Sequence, residues 1–127
     1  MREQVDSLVD ELRAELGEDL HGVFYGNLPA HDYTLAYLHD DVHEGYSPNE
    51  ILDLVDTVVG EQLAAHDHDE LTHLLGEVQV TVRAFERAAH VVAWDADEEM
   101  GVFVGVAPDP AAVGATVGAL AGADLDE

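Results

Sequence analysis

The strongest constraint on the fold comes from residues 77–84, in which apolar and polar residues alternate without interruption. Successive side chains of an extended strand point to opposite faces of a sheet, so this pattern predicts a β-strand with one buried face. Two more strands are predicted at Ala89–Asp95 and Met100–Val106, the second of them largely apolar. The C-terminal half of the chain is therefore expected to contribute three successive strands joined by short turns.

Helical spacing of apolar residues predicts three helices around these strands. Residues 3–16 place their apolar side chains at the i, i+3, i+4, i+7 positions of one face. Residues 47–50, with the sequence Ser-Pro-Asn-Glu, have the composition of a capping box, and an apolar helical pattern follows them. Asp109 followed by Pro110 is a typical start for the last helix.

Residues 22–28 and 33–39 are rich in aromatic and apolar residues and predict an antiparallel hairpin whose loop lies at 29–32. The predicted element order is α-β-β-α-β-β-β-α, an α/β protein of the α+β type. Eight elements in 127 residues leave only short connections, so we expect a single domain over residues 1–127. The acidic residues 123–127 are expected to be a frayed tail.

The charge of the chain excludes one large class of partners. Twenty-eight residues are acidic and four are basic, all four of them Arg, for a net charge of −24. Four scattered arginines cannot form the basic patch that phosphate contacts require, which argues against nucleic-acid binding. The composition resembles that of haloarchaeal cytoplasmic proteins, in which molar salt screens the repulsion between surface carboxylates. An acidic protein that binds basic partners in ordinary salt remains the alternative.

Several chemistries are missing from the sequence. There is no Cys for a disulfide or a thiolate, and no Lys for a phosphate-binding loop. Neither Ser7 nor Ser47 lies in a Gly-x-Ser-x-Gly motif. No apolar run approaches the roughly 20 residues that span a bilayer, and the acidic N-terminus is not a signal peptide. We therefore expect a cytoplasmic protein that is not an enzyme, needs no cofactor and does not associate with membranes.

Two clusters of His and acidic residues are the only candidates for a metal site. They are His39, Asp40, Asp41, His43 and Glu44 in the first, and His66, Asp67, His68, Asp69, Glu70 and His73 in the second. Neither cluster has the His-Glu-x-x-His spacing, and solvated loops or helix ends account for both. A metal-dependent enzyme using His66, His68 and His73 is kept as the alternative.

The C-terminal half carries a resemblance to a known family. The strands at 77–84, 89–95 and 100–106, followed by the Asp109-Pro110 helix start, resemble the closing segment of roadblock/LC7 domains. The first hairpin departs from that pattern, because residues 29–32 read Pro-Ala-His-Asp where many members have an Asp-Gly-type turn. The resemblance implies a five-stranded antiparallel sheet of order 2-1-5-4-3, with the central helix on one face and the two terminal helices on the other.

The resemblance also implies a function. Roadblock/LC7 domains are non-enzymatic homodimers or heterodimers that act as platforms for small Ras-like GTPases or signalling partners. Their third strands join edge to edge while their central helices pack together. Carried over to this sequence, the interface residues would be Gln79, Thr81, Arg83, Ile51, Val55, Val58 and Val59. A regular edge strand without Pro or Lys supports such pairing, although a loop that covers the edge would also protect it.

A small-ligand sensing domain of GAF or profilin-like topology is the second reading, because it shares much of this element order. Such a sensor needs a pocket of about 300 Å³ or more. The short connections between the later strands count against one, whereas a large cavity walled by Tyr25, Tyr37 and Trp94 would favour it.

Glycine recurs at positions 114, 118 and 122 of the last predicted helix. Glycine costs roughly 1 kcal/mol relative to Ala in a helix interior. Close packing of this helix would compensate that cost, and we expect it to pack closely on its own sheet; close packing against another chain is the alternative.

Overall fold

The computed structural model describes residues 2–27, 30–65, 73–76, 78–95 and 100–122. Its helices and strands run in the predicted order, with two short helical elements added: a 3-10 turn at Gly17–Asp19 and an α-helix between the second strand and the central helix. The elements are α1 (Arg2–Leu16), β1 (Leu20–Asn27), β2 (Asp32–Leu38), α2 (Asp40–Gly45), α3 (Pro48–Ala65), β3 (Val80–Ala84), β4 (Ala89–Asp95), β5 (Met100–Val106) and α4 (Pro110–Gly122). None of these helices is long and apolar enough to cross a membrane.

The five strands form one antiparallel sheet in the order β2-β1-β5-β4-β3. The predicted strand order is thus confirmed. The two strands at the centre are β1 and β5, in which Phe24 faces Phe103 across the ladder. The edges are β2 and β3, and because β3 pairs only with β4 among the described strands, its other side is open in this part of the structure.

The helices cover the two faces of the sheet as predicted. On one face, α1 and α4 pack on the aliphatic residues of β1, β4 and β5. On the other, α3 packs on the aromatic centre of the sheet; this cluster contains Phe24, Val55, Val58, Val59, Val92 and Phe103. Each such side chain contributes about 1.5–3 kcal/mol when it is fully buried, so both helical layers are firmly attached.

The start of α3 confirms the predicted capping box. The Glu50 N–H donates to the Ser47 hydroxyl at 3.2 Å, and the Ser47 N–H donates to a Glu50 carboxylate oxygen at 2.9 Å. Two backbone donors that a helix start leaves unpaired are satisfied in this way. The box fixes where the chain turns from α2 onto the face of the sheet.

The structure differs from the sequence prediction at several element ends. The first strand begins two residues earlier than expected, because Leu20 is buried opposite Val106. The third strand begins at Val80, three residues later than expected, and Glu77 lies outside the described residues. In the first hairpin, His31 takes a φ of 54°, the conformation for which other sequences use glycine. The expected frayed tail at 123–127 also lies outside the described residues.

The glycines of α4 correct a prediction. A Cβ atom built on Gly114 or Gly118 would meet no atom within 4 Å, and both residues are exposed. The helix packs on the sheet through larger side chains such as Val113, Val117 and Leu120. Close packing against the sheet therefore does not explain Gly114 and Gly118.

Candidate functional site

Within the described residues, the edge of β3 that faces away from β4 presents backbone groups that pair with no other strand. Across the β3–β4 turn, the Phe85 N–H donates to the Ala88 carbonyl at 2.8 Å. Hydrogen-bonded positions alternate along an antiparallel pair, so Arg83 and Thr81 direct their N–H and C=O groups towards β4. The alternate residues Val80, Val82 and Ala84 direct their N–H and C=O groups away from β4. Another strand could pair with them there.

Exposed apolar side chains lie beside this edge on the α3 face of the sheet. Leu54 is 39% exposed, Tyr46 50% and Phe85 53%. Together with Val58 they line one shallow depression between α3 and the β3–β4 turn. We call the open edge of β3 and these four side chains the β3 surface. Contiguous exposed apolar residues of this kind are typical of protein–protein contacts.

One ion pair links the strand to the helix at the β3 surface. Arg83 Nη1 lies 2.9 Å from Glu61 Oε2, and both side chains are partly exposed. A pair of this kind contributes at most about 1 kcal/mol. The Nε atom of Arg83 is buried and has no hydrogen-bond partner in the described part of the chain. The pair therefore serves mainly to orient the Arg83 side chain along α3.

The structure separates the seven predicted interface residues into two groups. Thr81 and Arg83 lie in β3 and Gln79 directly precedes it, while Ile51 is partly buried at the edge of the α3 core. The three valines, by contrast, are covered by the protomer's own sheet; these are Val55, Val58 and Val59. The exposed side of α3 that a partner would reach includes Leu54. The interface as a whole stays a prediction.

A cavity of about 320 Å³ opens on the same face, between the sheet, α2 and the start of α3. Its floor includes Phe24, Phe103 and Gly105, and three histidines line its walls: His21, His39 and His90. We call it the His90 cavity. It is not the cavity that the sensor hypothesis required, because Tyr25 and Tyr37 pack against the core on the opposite face. The side chain of Trp94 lies outside the described part of the structure.

His90 is the most buried polar residue of this cavity. Its side chain is 8% exposed and its Nδ1 atom has no hydrogen-bond partner within the described structure. The ring lies 5.3 Å from that of Phe85 and 5.0 Å from that of Phe103, between centroids. Burial lowers the pKa of His90, and His21 and Arg83 lower it further. His90 is therefore neutral at pH 7.

The other two histidines are held at the rim by the backbone. The His39 N–H donates to the His21 carbonyl at 2.8 Å, which brings the two residues together. The Nδ1 atom of His39 accepts the Asp41 N–H at 3.1 Å and so caps α2. Burial, assisted by His39 and opposed by Asp19, lowers the pKa of His21. Two neutral imidazoles therefore face the cavity near neutral pH.

A second polar contact joins the first hairpin to α3. His31 Nδ1 lies 3.2 Å from Asp56 Oδ1 and 2.9 Å from the Tyr33 hydroxyl. Partial burial raises the pKa of Tyr33, and a hydrogen bond to Asp56 and the charge of Asp56 raise it further. The phenol therefore stays protonated. His31 and Asp56 are each about half exposed (50% and 49%), so this contact is a surface interaction that connects the first hairpin to α3.

The two predicted His and Asp clusters do not form a metal site in the described structure. Among the residues that can be described, no three His, Asp or Glu side chains are grouped as ligands. His39 and Asp41 of the first cluster instead form the cap of α2. In the second cluster, residues 66–70 lie outside the described ranges and only His73 lies within them.

The fold resembles that of a solved structure, the Roadblock/LC7 domain from Streptomyces avermitilis. The TM-score is 0.56 and the sequence identity 14%, over 91% of this chain and 89% of that chain. The protein therefore has the roadblock/LC7 fold, which confirms the predicted resemblance at the level of fold. A family model described as Domain of unknown function (DUF7522) matches residues 6–124, and the chain belongs to this family. No curated protein matches the chain.

Sequence reasoning missed the His90 cavity, although one signal pointed to it. His90 is the only ionisable residue between Ala89 and Trp94 in an otherwise apolar strand. Alternation places it on the same face as Val92, the face covered by α3. The other walls come from distant parts of the chain, and only the strand order brings them together.

Proposed function

We propose that this protein is a non-enzymatic interaction module of roadblock type that works as a homodimer joined along β3. The observation that carries the proposal is the β3 surface, where an open strand edge lies beside the exposed side chains of Leu54 and Phe85. In a monomer, an unprotected strand edge and an exposed apolar patch would each promote aggregation. A second copy covers both at once.

The proposed dimer follows from the direction of the hydrogen bonds. Two β3 strands pair antiparallel around a twofold axis near Val82, whose N–H points into the open edge. Two five-stranded sheets then form one sheet of about ten strands. The axis is perpendicular to the sheet, so both α3 helices lie on the same face. The two copies of Leu54 and Phe85 are then brought towards each other.

The family resemblance supplies the class of partner. We propose that the dimer is a platform for a small Ras-like GTPase or a related signalling subunit. The chain has no Lys and hence no phosphate-binding loop of its own, so the nucleotide would be bound by the partner. A heterodimer with a related roadblock domain would use the same β3 surface.

The first test is the molar mass in solution, measured by light scattering after gel filtration in about 2 M KCl, which screens the surface charge. We expect the wild type to have twice the chain mass of 13.7 kDa. Val82→Pro removes a donor that faces the open edge, a position at which a strand tolerates Pro. We expect this variant to be a folded monomer.

Thr81→Pro is the matched control, because its N–H faces β4. It should weaken the protomer itself and lower the unfolding midpoint, which Val82→Pro should leave nearly unchanged. Phe85→Ser tests the apolar half of the surface and should also raise the monomer fraction. A wild type that stays monomeric up to about 100 μM would overturn the homodimer. A dimer that survives Val82→Pro and Phe85→Ser would overturn the assignment of the interface.

A further inference from the structure

We propose that the His90 cavity binds a small, uncharged aromatic molecule that carries a hydroxyl group, that is, a phenol. Neither the fold nor the proposed dimer requires such a site. The volume of about 320 Å³ lies at the lower end of the range for small-ligand pockets. Three features of the cavity favour this class of ligand: the shape of the floor, the buried Nδ1 atom of His90 and the distribution of charge at the rim.

The floor of the cavity suits a flat ring. The Phe24 and Phe103 rings meet edge to face with 6.0 Å between centroids. Gly105 leaves a gap between two imidazoles: a Cβ there would lie 3.7 Å from His21 Cβ and 3.8 Å from His90 Cδ2. An aromatic ligand can therefore lie on bare backbone and contact aromatic side chains in the offset or edge-on geometries that such rings favour.

The polar walls suit a hydroxyl. His90 Nδ1 is buried and has no hydrogen-bond partner among the described residues, and a nitrogen left so destabilises the protein until something bonds to it. His90 Cδ2 is the ring atom that lies towards Gly105 and the floor of the cavity. A rotation of the His90 ring by about 180° exchanges Nδ1 with Cδ2 and so places the nitrogen there. In its neutral form His39 keeps its proton on Nε2, because Nδ1 accepts the Asp41 N–H. A hydroxyl both donates and accepts, so it can serve either imidazole whichever tautomer His90 adopts.

The charges around the cavity favour a neutral ligand. Three carboxylates at the rim, those of Glu18, Asp41 and Glu50, outnumber the single guanidinium of Arg87 and so disfavour an anion; all four side chains are exposed. None of the described residues that line the cavity is a buried carboxylate that could pair with an organic cation. The imidazoles of His21 and His90 are themselves neutral near pH 7. An uncharged ring therefore loses the least solvation on entering.

The test compares p-cresol with p-xylene, which has the same shape but a methyl group in place of the hydroxyl. Binding is measured at pH 8 in about 2 M KCl by titration while the backbone amides of Gly22 and Gly105 are followed by NMR. A purely apolar cavity would prefer p-xylene, because burying a hydroxyl without a partner costs free energy. We expect the opposite order, with p-cresol binding about threefold or more tightly and with a Kd on the order of 1 mM.

Three variants locate the site. His90→Phe keeps a ring between Phe85 and Phe103 but removes both nitrogens, and should reverse the preference in favour of p-xylene. Gly105→Leu fills the floor and should abolish binding of both compounds. His73→Phe, a change at an exposed histidine of a helical turn, should alter neither affinity. Circular dichroism confirms that each variant is folded.

The outcomes separate this inference from the dimer. Val82→Pro, the expected monomer, should bind p-cresol as the wild type does, so the site stands even if the dimer fails. A preference of the wild type for p-xylene, or an unchanged preference in His90→Phe, overturns the proposal. Tighter binding of benzylamine or benzoate than of p-cresol overturns the assignment to an uncharged ligand.

Discussion

Two glycines in different elements have opposite surroundings. Gly26 lies in β1 with a φ of 155°, and a Cβ there would collide with the backbone carbonyl of Asp32 on the neighbouring strand. Gly114 lies in the middle of α4 and has open space where a Cβ would be. The first position needs glycine because the two backbones approach closely. Position 114 has no such requirement, and its glycine only increases the conformational entropy of the unfolded chain.

Alanine substitutions at these two positions should therefore have opposite effects on stability. Gly114→Ala should raise the free energy of unfolding by about 0.5–1 kcal/mol, the difference in helix propensity. Gly26→Ala should lower it by more than about 1 kcal/mol, because backbone must move to admit the Cβ. Urea denaturation measures both. A destabilised Gly114→Ala would show that the exposed face of α4 is covered in the protein as it exists in solution.

At the scale of the element, the capping box at the start of α3 is the local feature with the widest structural effect. The helix it starts carries Val55 into the core, Leu54 onto the β3 surface and Ile51 to the wall of the His90 cavity. Hydrogen bonds from the backbone N–H and then from the hydroxyl of Ser47 lower the pKa of Glu50. The box is therefore formed with the carboxylate ionised.

Ser47→Ala removes the cap and should lower the free energy of unfolding by about 1 kcal/mol. Glu50→Gln is the matched variant: an amide oxygen still accepts the Ser47 N–H, so the loss should be smaller. Urea denaturation at pH 7 compares the two. Equal losses would mean that the charge of Glu50 contributes as much to this helix start as the Ser47 hydroxyl does, which would contradict a box held mainly by its geometry.

The elements also show how far the sequence could predict the structure. The types of the elements and their order along the chain were predictable because the apolar period changes clearly between 3.6 and 2 residues. The order of strands in the sheet and the two-sided packing followed only from the resemblance to roadblock/LC7 domains. The short helix α2 was not predicted, because it has only six residues and its N-cap is His39, a residue type that is uncommon at that position. The apolar face of α3 was also visible, but periodicity alone does not distinguish a helix buried on its own sheet from one buried on a partner.

The candidate site was predictable only in part, for a related reason. Alternation in residues 77–84 predicted a strand, and the family resemblance placed it at the edge of the sheet. Which of its N–H groups face outwards depends on the register with β4 that the Phe85–Ala88 turn sets. The His90 cavity joins residues of β1, α2, α3, β4 and β5. No local pattern describes a volume whose walls are that far apart in sequence.

At the scale of the whole molecule, the large negative charge is the feature that most affects stability. The five acidic residues on the exposed side of α1 are Glu3, Asp6, Asp10, Glu11 and Glu15. In contrast, α4 carries no charged residue at all. With a net charge of −24 on 127 residues, mutual repulsion opposes the folded state whenever salt is too dilute to screen it. We propose that the protein is adapted to concentrated salt.

The unfolding temperature should therefore rise when KCl is increased from about 0.1 M to about 2 M, since the Debye length falls from about 10 Å to below 3 Å. Scanning calorimetry or thermal circular dichroism measures the rise. Sucrose of equal osmolality is the control, because it is excluded from protein surfaces but does not screen charge. Equal stabilisation by sucrose and KCl would contradict an electrostatic origin.

The position of β3 at the end of the sheet decides how many ligands a dimer would hold. In a dimer that pairs across this edge, the twofold axis gives two copies of every feature on the α3 face. The α1 and α4 helices of both copies lie on the opposite face of the joined sheet. A partner large enough to straddle the axis would then bind once per dimer, while the His90 cavity is present twice. Counting the bound molecules would thus distinguish the two kinds of site without any further structure.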